Sequence, residues 1–227
     1  MTWEESAIQN AALMVANTLD YIADQCGITD LDLFLSGDNN FRKKIYPEYK
    51  STRKKNERPP VLVKLKELYK ENFTVLQEDH LEADDLLGKA QDLTTCIVSI
   101  DKDMLMIPGY HYNYVRNELY FVSDFNGIYN FYYQLLIGDP TDDIKGAKGI
   151  GKAKAVKILQ DCETEEEMFN AVYPYFTCYE ELDMNARLVW IQRKGRENWN
   201  DTGIGESERQ DSTEACEGPD PEDIPWS

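Results

Sequence analysis

The 227-residue sequence contains two histidines, His80 and His111, and no pair of cysteines in C-x-x-C spacing. Zinc sites draw on closely spaced His and Cys, so zinc- or histidine-based chemistry is not indicated. The five cysteines, Cys26, Cys96, Cys162, Cys178 and Cys216, are odd in number and widely scattered. That pattern signals no disulfide framework and suits a reducing compartment. No apolar run approaches the roughly 18 residues that a membrane span needs. The first residues carry Glu4 and Glu5 where a targeting signal would carry basic groups. The expectation is a soluble, cytoplasmic chain with no membrane partner.

Acidic residues are what the sequence has in excess, with 42 Asp and Glu against 24 Lys and Arg and a formal charge of −18. So negative a chain should be repelled by nucleic acid, but its charge is unevenly spread. From Arg42 to Lys70 there are eleven Lys or Arg against three Glu, whereas 201–227 holds nine acids against Arg209 alone. The basic stretch, with Arg42, Lys54 and Lys55 among its cations, is interleaved with Phe41, Tyr46, Tyr49 and Tyr69. Bases stack on rings while cations follow the phosphate backbone, which favours nucleic acid over a merely solvated face.

With 42% apolar residues the chain can build a core. Apolar positions recur at helical spacing from Ala7 to Cys26, and Gly27 ends that helix. Short strands are expected at Leu31–Leu35, Phe73–Gln77 and Leu93–Ile100. A hairpin is expected over His111–Val115 and Glu118–Val122, with its turn at Arg116-Asn117. Helical patterns follow at Tyr129–Ile137 and Thr164–Trp199, flanking a glycine-rich segment, Gly146–Ala155. The acidic stretch 201–227 is poor in apolar residues and reads as a disordered tail.

Acids gather where these elements end. Glu82, Asp84 and Asp85 crowd four positions between Leu81 and Leu86. Carboxylates so close, and beside leucines, must protonate or hold cations. A helix cap needs one acid there rather than three. Asp38 follows the first strand, Asp101 and Asp103 follow the third, and Asp139 and Asp142 follow the helix ending at Ile137. Taken alone, Asp101-Lys102-Asp103 is more often a loop cap. Eight carboxylates at element ends suit hard divalent ions, and two Mg²⁺ or Mn²⁺ ions close together support phosphodiester hydrolysis.

Several motifs occur in a fixed order. They are Phe41-Arg42, Tyr46-Pro47-Glu48-Tyr49-Lys50-Ser51-Thr52-Arg53, Glu82-Ala83-Asp84-Asp85, Asp101-Lys102-Asp103, and Gly138-Asp139-Pro140-Thr141-Asp142 followed by Gly149-Ile150-Gly151. In that order they resemble the 5′ nuclease family, which includes bacteriophage 5′ to 3′ exonucleases, flap endonucleases and the 5′ nuclease domain of DNA polymerase I. The resemblance covers about residues 7–200. It implies an α/β fold in which helices flank a mostly parallel central sheet, a PIN/resolvase-like core over 1–137. A basic helical arch would lie at about 42–70 and a helix-hairpin-helix domain at 138–200. Asp38, Glu82, Asp84 and Asp85 would serve one metal ion, and Asp101, Asp103, Asp139 and Asp142 a second. Lys50 and Arg53 would act catalytically on the scissile phosphate, and Tyr49 would stack on a terminal base. Lys148, Gly149, Gly151, Lys152 and Lys154 would hold the duplex backbone, with K⁺ at the hairpin. The implied substrate is DNA with 5′ ends or flaps, extending to RNA:DNA, cut by a monomer in phage replication or recombination in the host cytoplasm. The acidic tail would contact single-stranded-DNA-binding or other replication proteins.

The resemblance departs at the start. Members of that family open on a strand carrying an Asp ahead of the first helix, and this chain begins at the helix, so one strand and one ligand are unaccounted for. Either the sequence starts late, or the ligand comes from a separate polypeptide, or catalysis is impaired; the last gives the alternative function, a catalytically impaired, structure-specific DNA-binding protein. A P-loop over Gly146–Ala153 is disfavoured because Ala153 stands where Ser or Thr would hold Mg²⁺.

Overall fold

The computed structural model describes residues 3–28, 30–53 and 60–211. Contacts divide the chain into two compact units, Met1–Asn40 with Lys54–Leu87 and Phe41–Arg53 with Gly88–Ser227. The division does not follow the border at 137/138 expected from the motifs. Part of the basic segment, Phe41–Arg53, groups with the C-terminal unit.

In the first unit α1 (Trp3–Cys26) ends at Gly27, whose φ of +62° is the left-handed conformation that favours glycine. Ile22 is buried, but Leu13 and Met14 remain exposed, so only part of the helix's apolar pattern is covered. α1 packs on α3 (Pro60–Asn72). Strands β1 (Asp32–Ser36) and β2 (Thr74–Glu78) pair in parallel, Asp32 opposite Thr74 through Ser36 opposite Glu78. At the strand ends Gly37 donates its N–H to the Leu81 carbonyl at 2.9 Å. A Cβ at Gly37 would fall 1.9 Å from the Glu78 oxygen, so only glycine fits this approach. The chain then enters α4 (Ala83–Ala90), whose first half belongs to this unit.

The second unit opens with the single turn α2 (Arg42–Ile45). Its sheet runs β3 (Cys96–Val98), β4 (Gly109–Asn113) and β5 (Glu118–Val122), the first pair parallel and the second antiparallel. A 3₁₀ turn at Lys102–Met106 joins β3 to β4. The core forms around α5 (Asp124–Ile137), where Phe131, Tyr132, Leu135 and Leu136 are fully enclosed. Around it pack α6 (Lys152–Leu159), α7 (Glu165–Val172) and α8 (Tyr179–Val189). Trp199 is fully buried against Phe131, Phe169 and Tyr179. A two-residue pair, β6 (Gly138–Asp139) and β7 (Ile144–Lys145), follows α5 directly and holds 140–143 as its connecting turn.

Four expectations change. In place of one continuous sheet, the described strands form three separate ladders. The helical pattern to Trp199 stops at Val189, because beyond it the chain folds back through the Arg193–Arg196 bridge. Part of the tail read as disordered is ordered: 201–205 turns and α9 spans Glu206–Asp211. Gly205, at φ +77°, lies so close to Phe169 and Tyr179 that a Cβ would come within about 3 Å of both rings. Finally, Cys26, Cys96 and Cys162 are free thiols, but Cys178 is disulfide-bonded, which the scattered cysteines did not announce. The remainder of the tail, 212–227, lies outside the described residues.

Candidate active site

The acids of the first unit surround the start of α4. Asp85 is fully buried, and its Oδ2 accepts the Glu82 N–H at 3.2 Å. The Ser36 hydroxyl accepts the Ala83 N–H at 3.1 Å. Asp85 therefore serves the helix start, satisfying an end N–H and complementing the helix dipole. Glu82 and Asp84 beside it are half-buried. Asp38 is exposed in the bend after β1, where its carbonyl accepts the His80 N–H at 2.9 Å.

In the second unit the acids lie at the end of β3 and on the β6–β7 turn. Asp101 caps the 3₁₀ turn, its Oδ1 accepting the Asp103 N–H at 3.0 Å. Asp139 is buried, receives the Thr141 N–H at 2.8 Å on Oδ1, and receives Gln134 Nε2 at 3.5 Å on Oδ2. The Lys102 ammonium lies 3.4 Å from both Asp103 Oδ1 and Asp139 Oδ2. Burial, with Asp101 and Asp139 nearby, raises the Asp103 pKa above the ordinary carboxylate value, although Lys102 opposes it. Burial also works to raise Asp139, but the Thr141 N–H and the Lys102 ammonium outweigh it and hold that carboxyl below its usual range. Lys102 in turn is raised, the two acids overcoming its own desolvation.

Asp142 faces a different set of partners. Its carboxylate pairs with Arg53 and lies 3.5 Å from Lys50 Nζ, and the Tyr49 hydroxyl donates to it at 3.3 Å. The neighbouring Asp143 accepts the Thr52 N–H at 2.8 Å, and its carboxyl is held low chiefly by that bond.

Among the described residues no three His, Cys, Asp or Glu side chains converge into a group able to hold an ion by themselves. The second unit nevertheless fits a cation. A lysine already bridges Asp103 Oδ1 and Asp139 Oδ2, so the two carboxylates share one positive charge. The Asp142 carboxylate beside them on the β6–β7 turn is paired with Lys50 and Arg53.

Two expected nucleic-acid contacts are corrected. Arg42 is buried, its Nε and Nη2 donating to the carbonyls of Leu188 and Trp190 at 3.0 and 2.6 Å. It satisfies the C-terminal end of α8 instead of meeting phosphate. Tyr49 is 3% exposed with the Lys50 ammonium 4.8 Å over its ring, so no face is open to a base. Lys54 and Lys55 lie outside the described residues. Lys148, Gly149, Gly151, Lys152 and Lys154 are all exposed around the start of α6. Gly149 has φ +75° and its carbonyl accepts Lys154 Nζ at 3.1 Å. Sequence reasoning missed Lys102, and it noted Asp143 only as a tolerable departure from the Asn usual in the resembled family. The only signal for Lys102 was its position between two aspartates.

A family model described as 5'-3' exonuclease, N-terminal resolvase-like domain, matches residues 2–130. The chain belongs to this family. A 5'-3' exonuclease of Mycoplasma genitalium is 31% identical over 189 residues, covering 72% of this chain and 63% of that protein. DNA polymerase I of Caldicellulosiruptor bescii is 29% identical over 152 residues, 56% of this chain and 18% of its own length. The chain thus spans less than two thirds of either relative. The crystal structure of T5 D15 protein co-crystallised with metal ions matches with a TM-score of 0.62 at 19% identity, covering 78% of this chain and 80% of that one. The bacteriophage T5 D15 flap endonuclease in complex with DNA and metal ions matches at 0.57 over the same shares. At such identities these likenesses establish the α/β fold.

Proposed function

We propose that this family member is a divalent-metal-dependent 5′ to 3′ exonuclease and flap endonuclease that hydrolyses DNA phosphodiester bonds. The observation that carries the reading is the pair Asp103 and Asp139, two carboxylates that already share one cation, the Lys102 ammonium 3.4 Å from each. Relatives named as 5'-3' exonucleases, and a T5 flap endonuclease crystallised with DNA and metal ions, support it. Asp103 and Asp139, with water and a substrate phosphate completing the shell, would hold one Mg²⁺ or Mn²⁺. Glu82 and Asp84 of the first unit, with Asp38 near the same strand ends, offer a second acid group. When bound, such an ion supplies Lewis-acid charge that polarises a phosphate oxygen and makes water a better nucleophile.

The chain's own groups do the rest. Lys50 and Arg53 present their donors beside Asp142, where a phosphate can share them as negative charge builds during hydrolysis. The exposed Gly149–Gly151 loop and the N-terminus of α6, with Lys148, Lys152 and Lys154 around it and no acid in its first turn, suit a duplex phosphate.

The test is cleavage of 5′-labelled flap DNA in Mg²⁺ by the full chain, beside binding of the same DNA in Ca²⁺. Asp103→Asn is expected to slow cleavage about 100- to 1000-fold while binding persists. Near-normal cleavage by that variant would overturn the metal assignment. A wild-type chain that binds flaps and cuts nothing would favour the structure-specific binding protein.

A further inference from the structure

Two turns of the second unit are fastened together by a residue outside the chemistry described so far. The segment Tyr46–Arg53 meets the turn 140–143 through the Lys50 N–H, which donates to the Asp142 carbonyl at 3.0 Å. Alongside, the Asp143 carboxylate accepts the Thr52 N–H at 2.8 Å and the Ser51 hydroxyl at 3.5 Å. The Thr52 hydroxyl lies within reach of both its oxygens, at 2.8 and 3.0 Å. Lys50 has φ +57° and Asp143 φ +59°, left-handed conformations that residues with side chains rarely adopt. Such backbone persists where surrounding bonds over-determine it, and here the two strained turns hold each other. Thr52 immediately precedes Arg53, so fixing its N–H and hydroxyl fixes where the arginine leaves the backbone.

We propose that Asp143 is a positioning residue, whose carboxylate latches Thr52 and Ser51 and so aims Lys50 and Arg53 at the position where the phosphate reacts. The assignment rests on the proposed nuclease function for its chemical meaning, but the latch itself does not. Its specificity lies in the carboxylate, which accepts from all three donors. An asparagine keeps one acceptor oxygen and turns an N–H₂ group toward donors. The latch also forms part of one groove with Lys145, Lys148 and Gly149, so DNA held by that loop would lie beside the segment carrying the clamp.

The experiment compares wild type with Asp143→Ala, Asp143→Asn, Thr52→Val and the Asp143→Ala/Thr52→Val double variant in the full chain. Amide hydrogen exchange at Lys50 and Thr52 should accelerate about tenfold in Asp143→Ala, with α5 amides unchanged as the internal control. The single-turnover rate on saturating 5′-flap DNA in Mg²⁺ should fall about tenfold while affinity in Ca²⁺ stays within about twofold. Asparagine should retain an intermediate rate, and the double variant should be no slower than Asp143→Ala, because the two residues act through one contact. Unchanged amide protection in Asp143→Ala would overturn the latch. Lost protection with an unchanged rate, or a loss confined to affinity, would overturn its positioning role. A wild-type chain without cleavage would remove the proposed nuclease function, and the amide data would still decide whether the latch exists. If the alanine variant fails to fold, Asp143→Asn and Thr52→Val carry the same comparison.

Discussion

His111 is a buried titratable group with no part in the proposed chemistry. It is 1% exposed, its ring stacks on Tyr120, its Nε2 lies 2.7 Å from the Ile107 carbonyl, and its Nδ1 is buried with no partner. Burial lowers its pKa, against the smaller opposite effect of the Ile107 bond. A depressed native pKa means that the unfolded chain takes up the proton first. Its contribution to stability is therefore complete above the unfolded value of about 6.5 and is lost as the pH falls from there through the native value. Denaturant midpoints measured from pH 7.5 to 5 should decline in wild type and decline less steeply in His111→Phe; parallel curves would refute this. At the same scale, residue types were legible in the sequence and their directions were not. Arg42 and Tyr49 sit in a stretch whose composition suits nucleic acid, but a guanidinium can equally well satisfy helix carbonyls and a tyrosine ring can be roofed by a lysine. Only the path of the chain decides between these uses. Lys102 was hidden for the opposite reason, as a cation between two acids looks from sequence like ordinary loop neutralisation.

Among the elements, α1, β1, β2, the β4–β5 hairpin and α5 follow from periodicity and turn residues, and each lies within a few residues of where the pattern puts it. The β6–β7 pair was not legible, because two-residue strands carry no periodicity. It nevertheless carries Asp139 and frames the turn that presents Asp142 and Asp143. The stretch 190–199 misleads because its apolar residues, Trp190, Ile191 and Trp199, are all buried and so mimic a helix continuing. Helix α4 yields a prediction of sign. Gly88 lies inside a helix, where replacement by alanine normally stabilises by about 1 kcal/mol. Here the new Cβ would stand 2.1 Å from the Gln192 carbonyl oxygen, so the crowding wins. Gly88→Ala is expected to destabilise the protein by about 1–3 kcal/mol, read from chemical denaturation. A stabilised variant would show that the 190–193 strand of chain yields freely.

For the molecule as a whole, the proposed metal site predicts that stability depends on cations. Asp101 and Asp139 act electrostatically against Asp103, and Lys102 opposes them. An ion that binds only the native state, present at a hundred times its Kd, adds about 2.7 kcal/mol of stability. Mg²⁺ or Mn²⁺ added to chelator-treated protein should therefore raise the melting temperature, and Asp103→Asn should abolish most of that increment. An equal rise in the variant would place the ions elsewhere.

The enclosure of Trp199 among Phe131, Phe169 and Tyr179, and the burial of Trp190 against Phe131 and the guanidinium groups of Arg193 and Arg196, divide the optical signals of the described indoles. The one indole described in the first unit, Trp3, is 84% exposed and already samples water. The emission of Trp190 and Trp199 should start blue and redden when the C-terminal unit opens. Loss of the β1–β2 unit alone would leave that blue component in place while far-ultraviolet dichroism falls, so pairing the two signals reads whether the units melt together or apart.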